Sequence, residues 1–359
     1  MMKKAKAAAV ILILFCAFGF GRVPKLILDD INMESAVGYD YVNKYIIKAT
    51  SVLPIYKPDK SVGNETFTAS DELSKETLKK INMASSRQMV NGKLEVALYS
   101  KELAKQGIGD LIDTLQRDPS ISERLFLAVT DEEAERILSK RYGDRDTGIY
   151  LSMLIEQNMD VGLVPTYNLH QFLNTYYSKL SDPFLPLIGQ KGKDIHIKGI
   201  ALFKGDRYVK SLRQDHQFIF KALLQKVKQG TYKLRLRNHH FIAIENIHTK
   251  HNFHVENKKN KPEITIQLKV NGIIRETMGK KTNKKAVEHI KKLMEKQLET
   301  QGTEMIRSFQ KLHIDPLGLG TQVRSRVRNF QDQKWLNQYP HIKVNLKAHV
   351  DILEKGVVD

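Results

Sequence analysis

The chain has 359 residues, 58 Lys plus Arg against 40 Asp plus Glu, 41% hydrophobic residues and a single Cys. That length suggests two or three domains, each able to bury its own core, and one cysteine excludes a disulfide scaffold or a Cys-rich zinc module. A net charge of +18 draws such a chain to polyanions in general, whether nucleic acid, anionic wall polymer or an anionic membrane face.

The N-terminus narrows the choice. Lys3, Lys4 and Lys6 precede an uninterrupted apolar and glycine run from Ala7 to Gly21. The run is shorter than the ~20 residues of a spanning helix and matches the basic n-region and short h-region of an export signal. Residues 1–21 are therefore read as a signal or lipoprotein-type segment, and export counts against nucleic acid as a partner. Cys16 lies within it, in Ile13-Leu14-Phe15-Cys16-Ala17, and is the candidate lipidation site. An acyl chain there gains roughly 0.8 kcal/mol per buried methylene, and the basic domain supplies the second signal that stable anchoring needs. The alternative is that Cys16 is one more apolar residue of an anchor or of a signal cut elsewhere.

In the region that follows, Ser70 is expected to cap a helix from Asp71 to about Arg87, with Leu73, Ile81 and Ala84 on one side. Leu94, Val96 and Leu98 alternate as a half-buried strand. Ile108, Leu111, Ile112 and Leu115 then repeat at helical spacing until Asp118-Pro119. Arg124–Val129 suits a buried strand, and Thr130 with Glu133 has the spacing of a capping box ahead of Ala134, Ile137 and Leu138. Strand, helix, strand, helix is α/β logic, and the crossover predicts a parallel pair. Helical patterns near Tyr150–Met159 and Asn168–Leu180 end in the Pro-rich Asp182–Pro186. A boundary is placed near residue 190, giving an N-terminal α/β region over 22–190, with room for two subdomains, and a C-terminal α+β domain over 191–359.

The second half opens with alternating Ile195 and Ile197, then Ala201-Leu202-Phe203, Lys204-Gly205-Asp206-Arg207 and Tyr208-Val209, a β-hairpin signal. A helix runs from Asp215 through Phe218, Ala222, Leu223 and Val227 to Gly230. Lys233–Arg237, Phe241–Ile247 and Glu263–Val270 read as antiparallel strands. Asn283 to about His313 carries a single stripe of Val287, Ile290, Met294, Leu298, Met305, Phe309 and Leu312, a long rod stopped at Asp315-Pro316-Leu317-Gly318. Ile342 to Ile352 alternates without a break, one face for a core and one for water. The expected fold class is α/β plus α+β: mixed β-sheets and packed helices, with an antiparallel sheet and one long helix in the C-terminal domain.

No catalytic constellation stands out. There is no Walker loop, no GxGxxG after a strand, no GxSxG elbow and no HExxH. His239, His240, His248, His251 and His254 cluster in sequence, but a metal needs imidazoles converging on one face. His239 and His240 would alternate faces on a strand, and His248–His254 fall where a polar hairpin would bend, so they are read as solvated hairpin histidines. Lys258-Lys259-Asn260-Lys261 and Lys280-Lys281 with Lys284-Lys285 bracket a strand without interleaved aromatic residues, which disfavours a nucleic-acid platform. They are solvated loops and helix ends, or a surface that leans on anionic lipid or polymer. Trp335 and Tyr339 are read as packing residues. No catalytic, cofactor or metal site is assigned.

Several segments together resemble a known family. They are Ser85-Ser-Arg87, Glu95 through Ile108, Leu115-Gln-Arg117-Asp118-Pro119, Ile197 through Arg207 and Tyr339 through Asp351. In this order they are similar to the Ger(x)C family of spore germination lipoproteins, the C subunits of germinant receptors in endospore-forming Gram-positive bacteria. The chain departs from the family at its N-terminus, where Phe15 rather than a small residue precedes Cys16, and Ala17-Phe18 rather than a Trp-Asp pair follows. The resemblance implies three α/β domains of mixed sheets and helices. It also implies a non-enzymatic subunit at the outer face of the spore inner membrane, beside integral membrane A and B subunits, which together respond to nutrients and trigger release of ions and dipicolinate. The alternative function is an exported basic protein that binds anionic lipid or wall polymer.

Overall fold

A computed structural model describes residue 27 and residues 30–236, 240–258, 261–276 and 284–353. The chain opens with β1 (Ile31–Met33), β2 (Ala36–Tyr41), β3 (Ile47–Tyr56) and β4 (Val62–Asp71), the last three an antiparallel meander. After α1 (Ser74–Ala84) comes β5 (Gln88–Val90), which forms a small parallel ladder with β1. Then follow β6 (Val96–Ser100), α2 (Lys101–Gln106), α3 (Gly109–Arg117), β7 (Phe126–Thr130), α4 (Ala134–Leu138), α5 (Thr147–Asp160) and α6 (Leu169–Tyr176). Finally β8 (Phe184–Lys191), β9 (Asp194–Lys204) and β10 (Arg207–Leu212) complete an eight-stranded sheet of order β10-β9-β8-β7-β6-β2-β3-β4.

The centre of that sheet is parallel, with β6 lying between β2 and β7, and β8 beyond β7. Helical crossovers cover its faces, so β6 (VALYS) is buried at every position and β7 (FLAVT) at all but the first. Antiparallel hairpins extend it on both sides. Residue 190, the expected junction, sits inside this sheet, because β9 and β10 continue it to Leu212.

Two local expectations are corrected. Ser70 and Asp71 pair with Lys48 and Ile47 as the end of β4, so Ser70 is no cap, and the helix starts at Ser74 behind an uncapped Leu73. Thr130 and Glu133 form no capping box: the Thr130 hydroxyl donates to the Glu132 carbonyl at 2.6 Å. The N-terminus of α4 is instead capped from β2. The Asp40 carboxylate accepts from Ala134 N at 2.7 Å and Glu135 N at 2.9 Å, doing across the sheet what a local residue usually does. Asn168 and Gln171 form a true capping box on α6.

In the second half, α7 (Gln214–Leu224) precedes β11 (Tyr232–Arg235), β12 (Phe241–Lys258) and β13 (Lys261–Glu276). Next come α8 (Lys284–Lys311), α9 (Leu319–Arg324), α10 (Asp332–Gln338) and β14 (Val344–Leu353). They build a four-stranded sheet of order β11-β12-β13-β14, with α8 packed on one face. Its first three strands are antiparallel as expected, but β14 joins β13 in parallel, from Ile264↔Val344 to Ile273↔Leu353. The sheet is therefore mixed. The helical connection carries the chain back to the starting end before β14 begins, and that direction of return forces a parallel pair.

The 28 residues of α8 span about 42 Å at 1.5 Å per residue. Val287, Ile290, Met294, Leu298, Met305 and Phe309 are buried along it. A Cβ at Gly302 would stand 2.3 Å from Leu346 Cδ2, so glycine is what lets the helix approach β14 so closely. The outer edge of β14 is closed by the same helix. Glu299 accepts from Ala348 N and Glu295 from Val350 N, each at 2.9 Å, which blunts an otherwise open sheet edge.

Buried Asp315 and half-buried Asp182 lock the halves together. Asp182 accepts from Asp315 N at 2.7 Å and Gly205 N at 3.1 Å, while Asp315 accepts from Leu319 N at 3.0 Å and Gly320 N at 2.8 Å. Burial raises both carboxyls, Asp315 to about 7. Rings bridge the same junction, with Phe220 5.1 Å from Phe184 and 6.0 Å from Phe309 between centroids.

Candidate functional site

Cys16 and His239 lie outside the described residues. His240 is exposed in the bend between β11 and β12, but His248, His251 and His254 do not sit where a hairpin bends: all three lie on β12, which runs on to Lys258. His248 and His254 are exposed on its outer face, whereas His251 turns inward toward α7. Its Nδ1 is 2.9 Å from the Ala222 carbonyl, and burial lowers its pKa. At ~3.3 Å per residue, His248 and His254 stand about 20 Å apart. These imidazoles cannot converge. Among the described residues no group of three His, Cys, Asp or Glu side chains is placed to hold a metal.

Of the basic runs, Lys284 and Lys285 are exposed at the start of α8, while Lys259, Lys280, Lys281 and the side chains of Lys258 and Lys261 lie outside the described residues. A cationic surface that the sequence did not single out lies on the outer face of the four-stranded sheet. Lys250 is opposite Lys269, which is opposite His349, and the neighbouring row is Asn252, Gln267 and Lys347. Like charges directly opposite are destabilising in isolation, as at Lys250 and Lys269, whereas His349 lies 3.5 Å from Asp351 on the same face. Trp335 and Tyr339 are buried, their ring centroids 5.5 Å apart, and the Tyr339 hydroxyl donates to the Ile314 carbonyl at 2.8 Å.

Among the described residues, a concave site with a perturbed acid lies in the first half; no motif announced Glu34, although Leu115, Arg117, Asp118 and Pro119 of the segment singled out above line it. A cavity of about 360 Å³ opens between α1, the end of α3 and the start of β2. Glu34 is 1% exposed on its wall and its Oε1 makes no well-formed hydrogen bond, with the Ser51 hydroxyl of β3 beside it but outside the cavity lining. Burial, opposed by Ser51 and reinforced by Asp118, raises the Glu34 carboxyl to about 7. Burial, with a smaller contribution from Glu34, holds the Tyr39 phenol well above its usual range. Strand pairing explains the placement: Glu34 sits just before β2, its N–H donating to the Val90 carbonyl at 3.0 Å, so the backbone is fixed and the side chain has nowhere to turn but inward.

With this geometry in view, the comparisons with known proteins are consistent across the whole chain. A family model described as "Spore germination protein N-terminal domain" matches residues 24–190, and one described as "Spore germination B3/ GerAC like, C-terminal" matches residues 198–356. The spore germination protein GerQC of Bacillus cereus is 30% identical over 355 residues, which cover 98% of this chain and 99% of that protein. The chain belongs to the Ger(x)C family of spore germination proteins. Within that family, spore germination protein KC of Bacillus subtilis (strain 168) is 21% identical over 373 residues, covering 92% of this chain and 91% of its own. The crystal structure of the GerBC protein superposes with a TM-score of 0.62 at 14% identity, over 88% of this chain and 96% of that one, which shows a shared Ger(x)C fold.

Proposed function

We propose that the chain is the non-enzymatic, membrane-associated subunit of a spore germinant receptor, acting with integral membrane A and B subunits in nutrient-triggered germination. The observation that carries this is the end-to-end match to a spore germination protein, through both family regions. Its place is the outer face of the spore inner membrane, held by residues 1–21 with Cys16 as the lipid attachment site. Among the described residues no helix is long and apolar enough to cross a membrane, and the apolar run from Ala7 to Gly21 lies ahead of them.

The test is a pull-down from detergent-solubilised spore membranes at high salt. Two integral membrane proteins should co-purify in amounts comparable to the chain, and recovery of the chain alone counts against the receptor role. A second reading, an exported protein that binds anionic lipid or wall polymer, draws on the Lys250, Lys269 and Lys347 face. It expects binding to anionic vesicles that falls steeply as salt is raised, because exposed charges are screened beyond ~8–10 Å.

A further inference from the structure

The Glu34 cavity is not used by anything in the receptor reading, and its chemistry is unbalanced. A carboxyl almost wholly removed from water is costly unless its oxygens are bonded. Here Glu34 Oε1 makes no well-formed hydrogen bond, and the Ser51 hydroxyl beside it, on β3 and outside the cavity lining, is the one neutral neighbour that favours its charged form. Burial raises the Glu34 carboxyl to about 7, with Ser51 opposing and Asp118 adding to the rise, and no cation acts against it. The other acid at the cavity, Asp118, is already occupied: Oδ2 accepts from Asn91 Nδ2 at 3.0 Å, and Oδ1 from Ser120 N at 2.9 Å and Ser120 Oγ at 2.6 Å.

The lining decides what could fill the space. No buried cation faces Glu34. The two basic residues of the wall, Lys75 and Arg117, are exposed at the mouth, and Arg117 Nε is paired with Asp113 at 2.7 Å. An anionic head group would meet Glu34 and Asp118 together and be repelled. A polyhydroxylated ligand would place its hydroxyls against Val37, Leu78, Leu94 and Leu115 and leave them unsatisfied. A ligand that donates at one end and is apolar elsewhere suits both the acid and the walls, and an ammonium donates most strongly to a carboxylate.

We propose that this cavity is a binding site for a small primary ammonium compound with an apolar tail, the ammonium seated on the Glu34 carboxyl and the tail lying against Val37, Leu94 and Leu115. The site does not depend on the receptor role, and its test reads binding alone.

Full-length protein in detergent is titrated calorimetrically with straight-chain alkylammonium ions from ethylammonium to hexylammonium, and with the matching alcohols and carboxylates. Saturable binding of at least one ammonium ion is expected, stronger than that of its alcohol, with none of its carboxylate. Glu34→Gln keeps the shape and removes the charge, and should weaken ammonium binding roughly 10-fold to 100-fold, the size of one lost hydrogen bond to a charged group. Leu78→Trp fills the cavity from its half-buried wall while leaving Glu34 in place, and should abolish binding with an unchanged thermal melt, which keeps the test decisive if Glu34→Gln folds poorly. Absence of saturable ammonium binding, equal binding of the alcohol, or undiminished binding in folded Glu34→Gln or Leu78→Trp overturns the proposal.

Discussion

Replacing Leu298 by alanine is the most direct probe of how the C-terminal unit is held together. Leu298 is 0% exposed, in the middle of the α8 stripe that packs on β14 and α7. The change removes three carbons, about 2.4 kcal/mol at ~0.8 kcal/mol per buried methylene. The walls are a sheet fixed by its ladder and a helix fixed at Gly302, so they relax little, and the unfilled space takes the loss to roughly 3–5 kcal/mol. That is a large share of the ~5–15 kcal/mol that holds a folded protein together. Lys296 is exposed two residues away, and Lys296→Ala should stay within about 0.5 kcal/mol of wild type. The chain supplies its own reporter: its single tryptophan, Trp335, is buried in the same half of the molecule. Urea unfolding followed by its fluorescence should show Leu298→Ala with a lower midpoint and an unchanged slope. A loss below about 1 kcal/mol for Leu298→Ala, or an equal loss for Lys296→Ala, refutes the assignment of that face to the core.

Four further outcomes follow from particular contacts. Asp40→Ala should cost about 1–2 kcal/mol in thermal or urea unfolding, because it uncaps α4, whereas Glu133→Ala, exposed and paired only at the surface with Lys48, should be near neutral; the reverse order would restore the local capping box. Glu34 titrates near 7 when folded and near ~4.3 when unfolded, so the folded chain holds the extra proton between these values and stability falls as pH rises through that window. Glu34→Gln should therefore gain stability over wild type between pH 5 and pH 8, on the order of 3 kcal/mol at most. Asp315 titrates in both proteins and cancels from the difference, and parallel pH profiles would sink this account. His251→Ala should lower stability by about 1 kcal/mol through its lost bond to Ala222, while His248→Ala and His254→Ala leave the melt unchanged. Finally, Cys16→Ala should leave an unprocessed precursor of higher mass, and an unchanged mature mass would show that the cysteine carries no lipid.

What could be read in the sequence is what repeats. α8 and β14 were legible because each keeps one period over its whole length, and β7 because a buried parallel strand is a dense apolar run; β6 was found from an alternation that suggested one wet face, whereas it is buried at every position. β2, β3 and β4 were not. β2 (AVGYDY) is buried across Gly38 and Asp40, and β4 (VGNETFTASD) is an edge strand with a mostly polar sequence, so neither alternates. The histidines of β12 misled for a related reason. Its inner face includes Thr249 and His251 among Ile247, Phe253 and Val255, which hides the period of two and made a strand look like a turn. Asp40 as the cap of α4 is a contact across 94 residues of chain, and Glu34 becomes a site only when α1, α3 and β2 close around it. Pairings of this kind leave no trace in local spacing.

The sheet that runs through residue 190 bears on how the molecule can be taken apart. The two family regions meet at 190 and 198, inside the β8–β9 hairpin, and Leu187↔Gly199 and Phe184↔Leu202 pair across the gap. A fragment ended at residue 190 would carry β8 as a raw edge, with apolar neighbours such as Ile200 and Phe203 removed. The complementary fragment would carry β9 paired only with β10, its other edge stripped of β8. Neither piece is expected to fold alone, so a deletion of either half should report loss of the whole protein rather than the separate task of the part removed. Genetic dissection here has to proceed by point substitutions on intact chains, or by two fragments expressed together that rebuild the hairpin between them.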